Sequence, residues 1–149
     1  MVLFEHTSDI DAPVETVFAF HERPDALQLL IPPHQPAKLI ERTPNGIQAG
    51  ARVVIGLPLG LRWVAIHTQY VPGKLFVDLQ QSGPFHFWEH RHIFEPLSPT
   101  RSRLTDSVRF SLHPFGWLDF ALGWLVRIQL RSMFRFRHAV TARECEKQS

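Results

Sequence analysis

The residues best suited to chemistry are two histidines and an aspartate, His90, His92 and Asp106, in the stretch 85–112. A carboxylate that orients an imidazole is a recurring arrangement for proton transfer, so His92 and Asp106 are a candidate acid–base pair. The same residues also suit polar anchors for a small molecule in an apolar pocket. A third interpretation is a buried polar pair that fixes strand register and is satisfied internally.

A hairpin of two long strands is predicted to position these residues, with its turn near Pro99. With Pro99 as the midpoint, the facing pairs are Trp88–Phe110, His90–Val108, His92–Asp106 and Phe94–Leu104. On the other face the pairs join opposite charges, Glu89–Arg109 and Glu95–Arg103. One face is therefore apolar with a few convergent polar groups, which is the usual lining of a small-molecule pocket.

The chain before this hairpin is predicted to contain one strand, two short helices and a β-meander. Residues 2–10 alternate with the period of an edge strand, and Pro13 lies in the first turn of a helix that ends before Pro24. A second short helix is predicted over 25–30, before Pro32 and Pro33. Turn residues then separate four strands, at 38–43, 52–57, 61–71 and 75–81.

Two-residue turns at Pro72-Gly73 and Gly83-Pro84 would fix the register of the last strands of the meander. The facing pairs would include Ile66–Leu79, Tyr70–Leu75, Leu79–Trp88 and Val77–His90. Ile66, Tyr70, Val77 and Leu79 are then expected on the face that carries the histidines. Trp63, His67 and Asp78 are expected on the opposite face, with His67 and Asp78 as a solvent-side structural pair.

A long helix is predicted over 117–142, followed by a frayed polar tail that holds the single cysteine, Cys145, for which no nucleophilic role is expected. One helix face carries Leu118, Leu122, Leu125, Val126, Gln129, Met133, Phe136 and Val140. The opposite side carries Trp117, Phe120 and Trp124 and continues into Arg127, Arg131 and Arg135. That side suits a homodimer surface, a membrane interface, or cover by loops and the short helices.

Composition excludes several classes of function. A formal net charge of +2 over 149 residues is too small to indicate nucleic-acid binding. One cysteine permits no intrachain disulfide, and the N-terminus lacks the basic and apolar regions of a signal peptide. No apolar run is long enough to span a membrane, so a cytoplasmic protein is expected.

The histidines were weighed as metal ligands, because zinc takes three or four ligands in a compact site. His90 and His92 share a face with His86, and His6 is a further candidate. His86 lies about 13 Å from His90 along an extended strand, which is too far for one ion. His90 with His92 alone is incomplete, so neither a metal nor another cofactor is expected.

Two segments resemble a known superfamily. They are IDAPVETVF at 10–18, and WEHRHIFEP at 88–96 followed by TDSV at 105–108. With the order strand, two short helices, antiparallel strands and long helix, they resemble the helix-grip domains of the START/SRPBCC superfamily. That superfamily includes polyketide cyclase/dehydrase-like, coenzyme Q-binding and plant pollen-allergen-like proteins.

The resemblance implies an α+β fold over one domain, 1–149, in which a curved antiparallel sheet of six or seven strands wraps a C-terminal helix. It also implies an apolar cavity that binds or carries a lipid, quinone or polyketide-like molecule. The expected lining is Ile66, Tyr70, Val77, Leu79, Trp88, His90, Phe94, Val108, Phe110, Leu122 and Val126. The alternatives are a cyclase/dehydratase-like enzyme that uses His92 and Asp106, and an interaction module that binds a second copy or a membrane surface through the C-terminal helix. The superfamily has no universal catalytic residue, so fold alone does not choose between them.

Overall fold

The computed structural model describes residues 1–147. The strands are β1 (Val2–Ile10), β2 (Lys38–Arg42), β3 (Arg52–Gly56), β4 (Arg62–Val71), β5 (Leu75–Ser82), β6 (Phe87–Ser98) and β7 (Arg101–Ser111). The helices are α1 (Val14–Glu22), α2 (Ala26–Leu30) and α3 (Trp117–Glu146), with one 3₁₀ turn at Pro58–Gly60. None of the helices described is long and apolar enough to cross a membrane.

The seven strands form one antiparallel sheet in the order β1-β7-β6-β5-β4-β3-β2. The long helix α3 packs against the sheet chiefly along β1 and β7, and α1 and α2 lie beside it at one end. This architecture confirms the predicted α+β helix-grip fold. It leaves the inward face of β3 to β6 opposite α3, where a cavity forms.

The central hairpin has the predicted register. Trp88 pairs with Phe110 and His92 with Asp106, as a turn centred near Pro99 requires. On the other face the Arg109 guanidinium lies 2.7 Å from a carboxylate oxygen of Glu89. The register of the hairpin is fixed by apolar pairs on one face and by charge pairs on the other. A one-residue slip would break both sets of pairs.

The predicted register between β5 and β6 is wrong by one residue. Asp78 pairs with His90, where the two-residue turn at Gly83-Pro84 would have paired Val77 with it. The turn is longer than predicted, and the Gln80 side-chain amide closes it by donating to the Phe85 carbonyl at 2.7 Å. Because strand side chains alternate between faces, this shift moves Asp78 inward and Val77 outward.

The ladder between β4 and β5 is irregular at two places, between Val64 and Ala65 and at Thr68. Ile66 pairs with Leu79 and His67 with Asp78, as predicted, but a bulge at Thr68 then shifts the pairing. Tyr70 consequently pairs with Phe76 and not with Leu75. A bulge adds one residue to one strand, so the side chains beyond it change face.

Helix α3 buries a face that is only partly the predicted one. Leu130, Phe134 and His138 are buried at helical spacing, whereas Leu122 is exposed. The helix also continues to Glu146, through most of the predicted polar tail. Cys145 is therefore buried, and burial raises the pKa of its thiol to about 12.

Two apolar cores flank a polar layer. The first surrounds α1 and includes Phe18, Phe94 and Leu104, and the second lies under α3 and includes Phe110 and Phe134. Along β6 the inward side chains are Trp88 in the second core, then His90 and His92, then Phe94 in the first. The fold thus places a band of ionisable groups between two apolar cores.

Candidate functional site

A cavity of about 470 Å³ lies between the inner face of the sheet, α2 and α3. Alternate residues of neighbouring strands line it, as strand geometry requires, and α3 contributes residues three or four positions apart. The strand residues are Val53, Ile55, Trp63, Ala65, His67, Phe76, Asp78, Trp88, His90 and His92. The helix residues include Leu27, Leu30, Val126, Leu130, Met133 and Arg137. Most of this wall is apolar, and the volume is typical of a small-molecule site.

The polar part of the wall is built around Asp106, which lies behind His90 and His92 as seen from the cavity. Asp106 Oδ1 lies 2.7 Å from His90 Nε2 and 2.9 Å from His92 Nδ1. Asp106 Oδ2 lies 2.7 Å from His138 Nε2 on α3. A carboxylate only accepts hydrogen bonds, so these three imidazole nitrogens carry the protons.

Asp78 stands on the cavity side of the same two histidines. Its Oδ2 lies 3.1 Å from His92 Nε2 and 3.6 Å from His90 Nδ1. His92 therefore has one carboxylate at each ring nitrogen, Asp106 at Nδ1 and Asp78 at Nε2. The two histidine rings pack 3.7 Å apart between the two aspartates.

The charges in this layer are strongly coupled. Burial would lower the pKa of His92, but the carboxylates of Asp106 and Asp78 outweigh it and hold that pKa above its ordinary value. Burial and the neighbouring His92 lower the pKa of His90. Burial would raise the pKa of Asp106, but His92, His138 and His90 hold it well below its ordinary value.

Two buried nitrogen atoms on residues of the cavity wall lack hydrogen-bond partners. Among residues 1–147, no hydrogen-bond partner reaches the buried atoms Arg137 Nε and His67 Nδ1. Burial lowers the pKa of Arg137, although the charges of Asp106 and Asp78 act against that shift. An unpaired buried N–H donor is costly, so the guanidinium of Arg137 is suited to a partner supplied from the cavity.

The structure brings some of the predicted site residues together. Trp88, His90, His92 and Val126 line the cavity, and Asp106 supports the histidines from behind. The predicted contact between His92 and Asp106 is present at 2.9 Å. The candidate acid–base pair therefore has one member on the wall and one beneath it.

Four other predicted lining residues belong to the two apolar cores or pack against them, and they are not among the residues that line the cavity. Phe94, Val108 and Phe110 lie on the predicted face but are buried within the two cores. Tyr70 packs against Phe18, with ring centroids 5.8 Å apart, and donates to Glu22. Their positions follow from sheet curvature and the bulge in β4, neither of which a strand pattern specifies.

The remaining four predicted lining residues point away from the cavity. Ile66, Val77 and Leu79 alternate with wall residues of β4 and β5, so they lie on the outer face of the sheet. Leu122 is 42% exposed on the outer side of α3. The register between β5 and β6 accounts for Val77 and Leu79, and the rotation of α3 accounts for Leu122.

Three wall residues were predicted on the opposite face of the sheet, and a fourth was not predicted to line the cavity. Trp63, His67 and Asp78 were expected on the solvent side, but all three line the cavity. Arg137 was not singled out, although it lies at helical spacing from Leu130 and Met133. A helix face drawn through Leu130, Phe134 and His138 would have included its neighbour Arg137 on the same side.

Family comparison agrees with this geometry. Residues 10–136 match the family model described as "Polyketide cyclase / dehydrase and lipid transport". The chain belongs to this family. The match covers most of the chain and confirms the START/SRPBCC resemblance, while no curated protein matches the sequence. The family combines cyclases, dehydrases and lipid transport, so membership gives a ligand-binding domain without naming the ligand.

Solved structures show the same fold. A START superfamily protein from Mycobacterium smegmatis has a TM-score of 0.68 at 14% identity, with 99% of each chain covered. Norcoclaurine synthase from Thalictrum flavum, in complex with dopamine and hydroxybenzaldehyde, has a TM-score of 0.75 at 11% identity, covering 99% of this chain and 88% of that chain. A nucleoside-diphosphate sugar epimerase from Corynebacterium glutamicum has a TM-score of 0.70 at 26% identity, covering 96% of this chain. This chain spans 28% of the epimerase.

Proposed function

We propose that this protein binds a small, largely apolar molecule that carries an anionic or strongly hydrogen-bond-accepting group. The cavity of about 470 Å³ is the observation that carries the proposal, because its wall combines an apolar majority with a compact polar region. Lipids, quinones and polyketide-like molecules belong to the class of compounds with this combination. Family membership supports the same class.

Arg137 is the residue that would bind the polar group of the proposed ligand. Its Nε is buried without a partner among the residues described, and Arg137 is one of the residues that line the cavity. An arginine is charged under all ordinary conditions and offers five donors in a fixed planar arrangement. A carboxylate, an enolate or a carbonyl oxygen that enters the cavity and reaches Arg137 would therefore pair with a guanidinium whose Nε has no partner among the residues described.

The dye 1-anilinonaphthalene-8-sulfonate tests this proposal, since it joins apolar rings to an anion. We expect the wild-type chain to bind it with enhanced fluorescence, and Arg137→Met to weaken binding by about 10- to 100-fold, as expected for a lost charged hydrogen bond. Arg135→Met is the matched control, because Arg135 is an exposed arginine on the same helix. Equal affinities of the two variants would rule out Arg137 as the anion-binding group.

Native mass spectrometry of the protein from a lipid-rich host identifies the natural ligand class. A retained apolar mass that is released by solvent, and is lost in Arg137→Met, would support the proposal. A retained ligand without any acceptor oxygen would contradict the assigned polar group.

A cyclase- or dehydratase-like enzyme is the second candidate, favoured by His92 on the cavity wall. Its imidazolium is held between Asp106 and Asp78 and suits a general acid that protonates a substrate carbonyl or hydroxyl. Asp106 would act as a positioning residue because it lies behind the histidine.

With the molecule identified by mass spectrometry as substrate, we expect His92→Gln to lower kcat by about 10²- to 10⁴-fold. His67→Gln, at another wall histidine, should change mainly KM, and full turnover in His92→Gln would exclude this mechanism.

The exposed side of α3 supports a membrane-surface role. Phe120 is 94% exposed and Trp124 57% exposed, and the same stripe continues into Arg127, Arg131 and Arg135. Residues 120–143 contain no aspartate or glutamate, so a second copy placed against this stripe would bring arginines together. An anionic lipid surface would instead attract the arginines while the rings enter the headgroup region.

Vesicle sedimentation tests this membrane-surface role. We expect the protein to sediment with phosphatidylserine-containing vesicles and not with purely zwitterionic ones, and the double variant Phe120→Ser/Trp124→Ser to stay in solution. Leu97→Ser is the control, since Leu97 is an exposed apolar residue on β6. A dimer in light scattering that the double variant abolishes would instead indicate self-association.

A further inference from the structure

Three potential ligand atoms converge at the cavity wall. Asp78 Oδ2 lies 3.1 Å from His92 Nε2 and 3.6 Å from His90 Nδ1, and one ligand atom of each residue lies within 4.8 Å of the others. An ion about 2.1 Å from its ligands separates neighbouring ligand atoms by about 3.0–3.4 Å in octahedral or tetrahedral geometry. The two contacts to Asp78 are within a few tenths of an ångström of that range.

The other nitrogens of both histidines are held by one carboxylate. Asp106 Oδ1 lies 2.7 Å from His90 Nε2 and 2.9 Å from His92 Nδ1. Histidines that bind metals nearly always donate their second ring N–H to a carboxylate, a carbonyl or a water, which fixes the ring and its tautomer. Here Asp106 does this for both rings, and His138 in turn donates to Asp106 Oδ2 at 2.7 Å.

A positive charge between the histidines and Asp78 would stabilise this arrangement. When both rings donate to Asp106, the lone pairs of His90 Nδ1 and His92 Nε2 face the carboxylate of Asp78. Three electron-rich atoms this close in a buried site repel one another unless a positive charge lies between them. A proton shared by His92 and Asp78 would supply this charge, and so would a metal ion.

We propose that Asp78, His90 and His92 form a binding site for a divalent transition-metal ion of the zinc or ferrous-iron type. Two imidazoles and one carboxylate suit these metals, whereas Mg²⁺ and Ca²⁺ prefer oxygen ligands. All three residues line the cavity, so the remaining coordination positions would face its interior. The site does not depend on which molecule occupies the cavity.

Cobalt titration of the full chain, purified without a histidine tag and treated with chelator, is the decisive experiment. We expect one equivalent of Co²⁺ to bind and give visible ligand-field absorption, Zn²⁺ to displace it, and Zn²⁺ to raise the melting temperature. Spectra of Cys145→Ser should be unchanged, because Cys145 is not one of the proposed ligands. A wild-type chain that binds neither ion at millimolar concentration would overturn the proposal and leave the proton as the bridging charge.

Substitutions locate the ion. Asp78→Asn, His90→Gln and His92→Gln should each abolish the Co²⁺ spectrum, while Asp106→Asn should weaken affinity by about 10- to 100-fold, as loss of an orienting carboxylate does. His21→Gln is the matched control, since His21 is a buried histidine on the same wall whose Nδ1 contacts the Val17 carbonyl at 2.8 Å. An equal loss in His21→Gln would contradict the assigned ligands.

A measurement on the wild-type chain covers the case in which these buried variants do not fold. Pulsed electron paramagnetic resonance of the Cu²⁺-loaded protein counts the imidazoles bound to the ion, and two are expected. Any other number would refute the site. Dye binding through Arg137 is a separate readout, so loss of the metal site and loss of the ligand-binding function are distinguishable.

Discussion

Asp106→Ala is expected to lower the free energy of unfolding by about 3 to 5 kcal/mol, the usual cost of removing one partner from a buried charged network. Asp106 is 3% exposed and accepts from three histidine nitrogens within 2.9 Å. Its removal leaves those donors unpaired between two apolar cores. Against a typical total stability of about 5 to 15 kcal/mol, the loss leaves a marginal fold.

Urea denaturation at neutral pH measures this effect. Asp9→Ala is the control, because Asp9 is an exposed aspartate that pairs with Arg103, and its loss should change stability little. Asp106→Asn keeps one acceptor oxygen but turns an amide N–H₂ toward an imidazole donor, so its stability should lie between those of Asp106→Ala and the wild type. If Asp106→Ala unfolds within about 1 kcal/mol of the wild type, the histidines find other partners and the layer is not organised by this carboxylate.

The sequence predicted the hairpin because its register is encoded on both faces. The pairing of Trp88 with Phe110 and that of Glu89 with Arg109 require the same alignment, and each would fail if the strands slipped. The predicted contact of His92 with Asp106 followed directly. Local information sufficed here, because the two strands are joined by a short turn and the side-chain pairs that set their register all lie within the hairpin.

The sequence did not place Asp78, although this residue completes the polar layer. A single assumption, a two-residue turn at Gly83-Pro84, set the register of β5 against β6. The actual turn is closed by a side chain, with Gln80 bonded to Phe85 from within β5. A turn held by a side-chain amide has no short sequence signature, and the one-residue error exchanged Asp78 for Val77 on the cavity wall.

The buried face of helix α3 was predicted incorrectly for a different reason. Its first half is apolar around most of its circumference, and Phe120, Trp124 and Ile128 are exposed. A hydrophobic pattern identifies the buried face only when the other face is polar. The pattern alone therefore did not single out the face that carries Arg137 and His138, whose role depends on Asp106 and the cavity, which come from distant parts of the chain.

Ala65→Trp is expected to abolish dye binding while keeping or raising thermal stability. Ala65 is a small residue on the cavity wall, in the middle of β4 and between the wall residues Trp63 and His67. An indole at this position would point into the cavity and occupy space that a ligand needs. Overpacking normally costs about 1 to 3 kcal/mol, but a cavity of about 470 Å³ gives the new ring room to bury apolar surface without that strain.

Fluorescence titration with the dye and a thermal melt of the same sample together test this prediction. Ala139→Trp is the matched control, because Ala139 is an exposed alanine of α3 and the same ring there should leave binding intact. Loss of binding in Ala65→Trp would also exclude the exposed aromatic stripe of α3 as the main dye site, because Ala65 lines the cavity and the stripe faces outward. If Ala65→Trp is folded and still binds like the wild type, the dye binds outside the cavity and the proposed function loses its main support. If binding disappears while stability holds, the cavity is maintained for a ligand at no benefit to the fold.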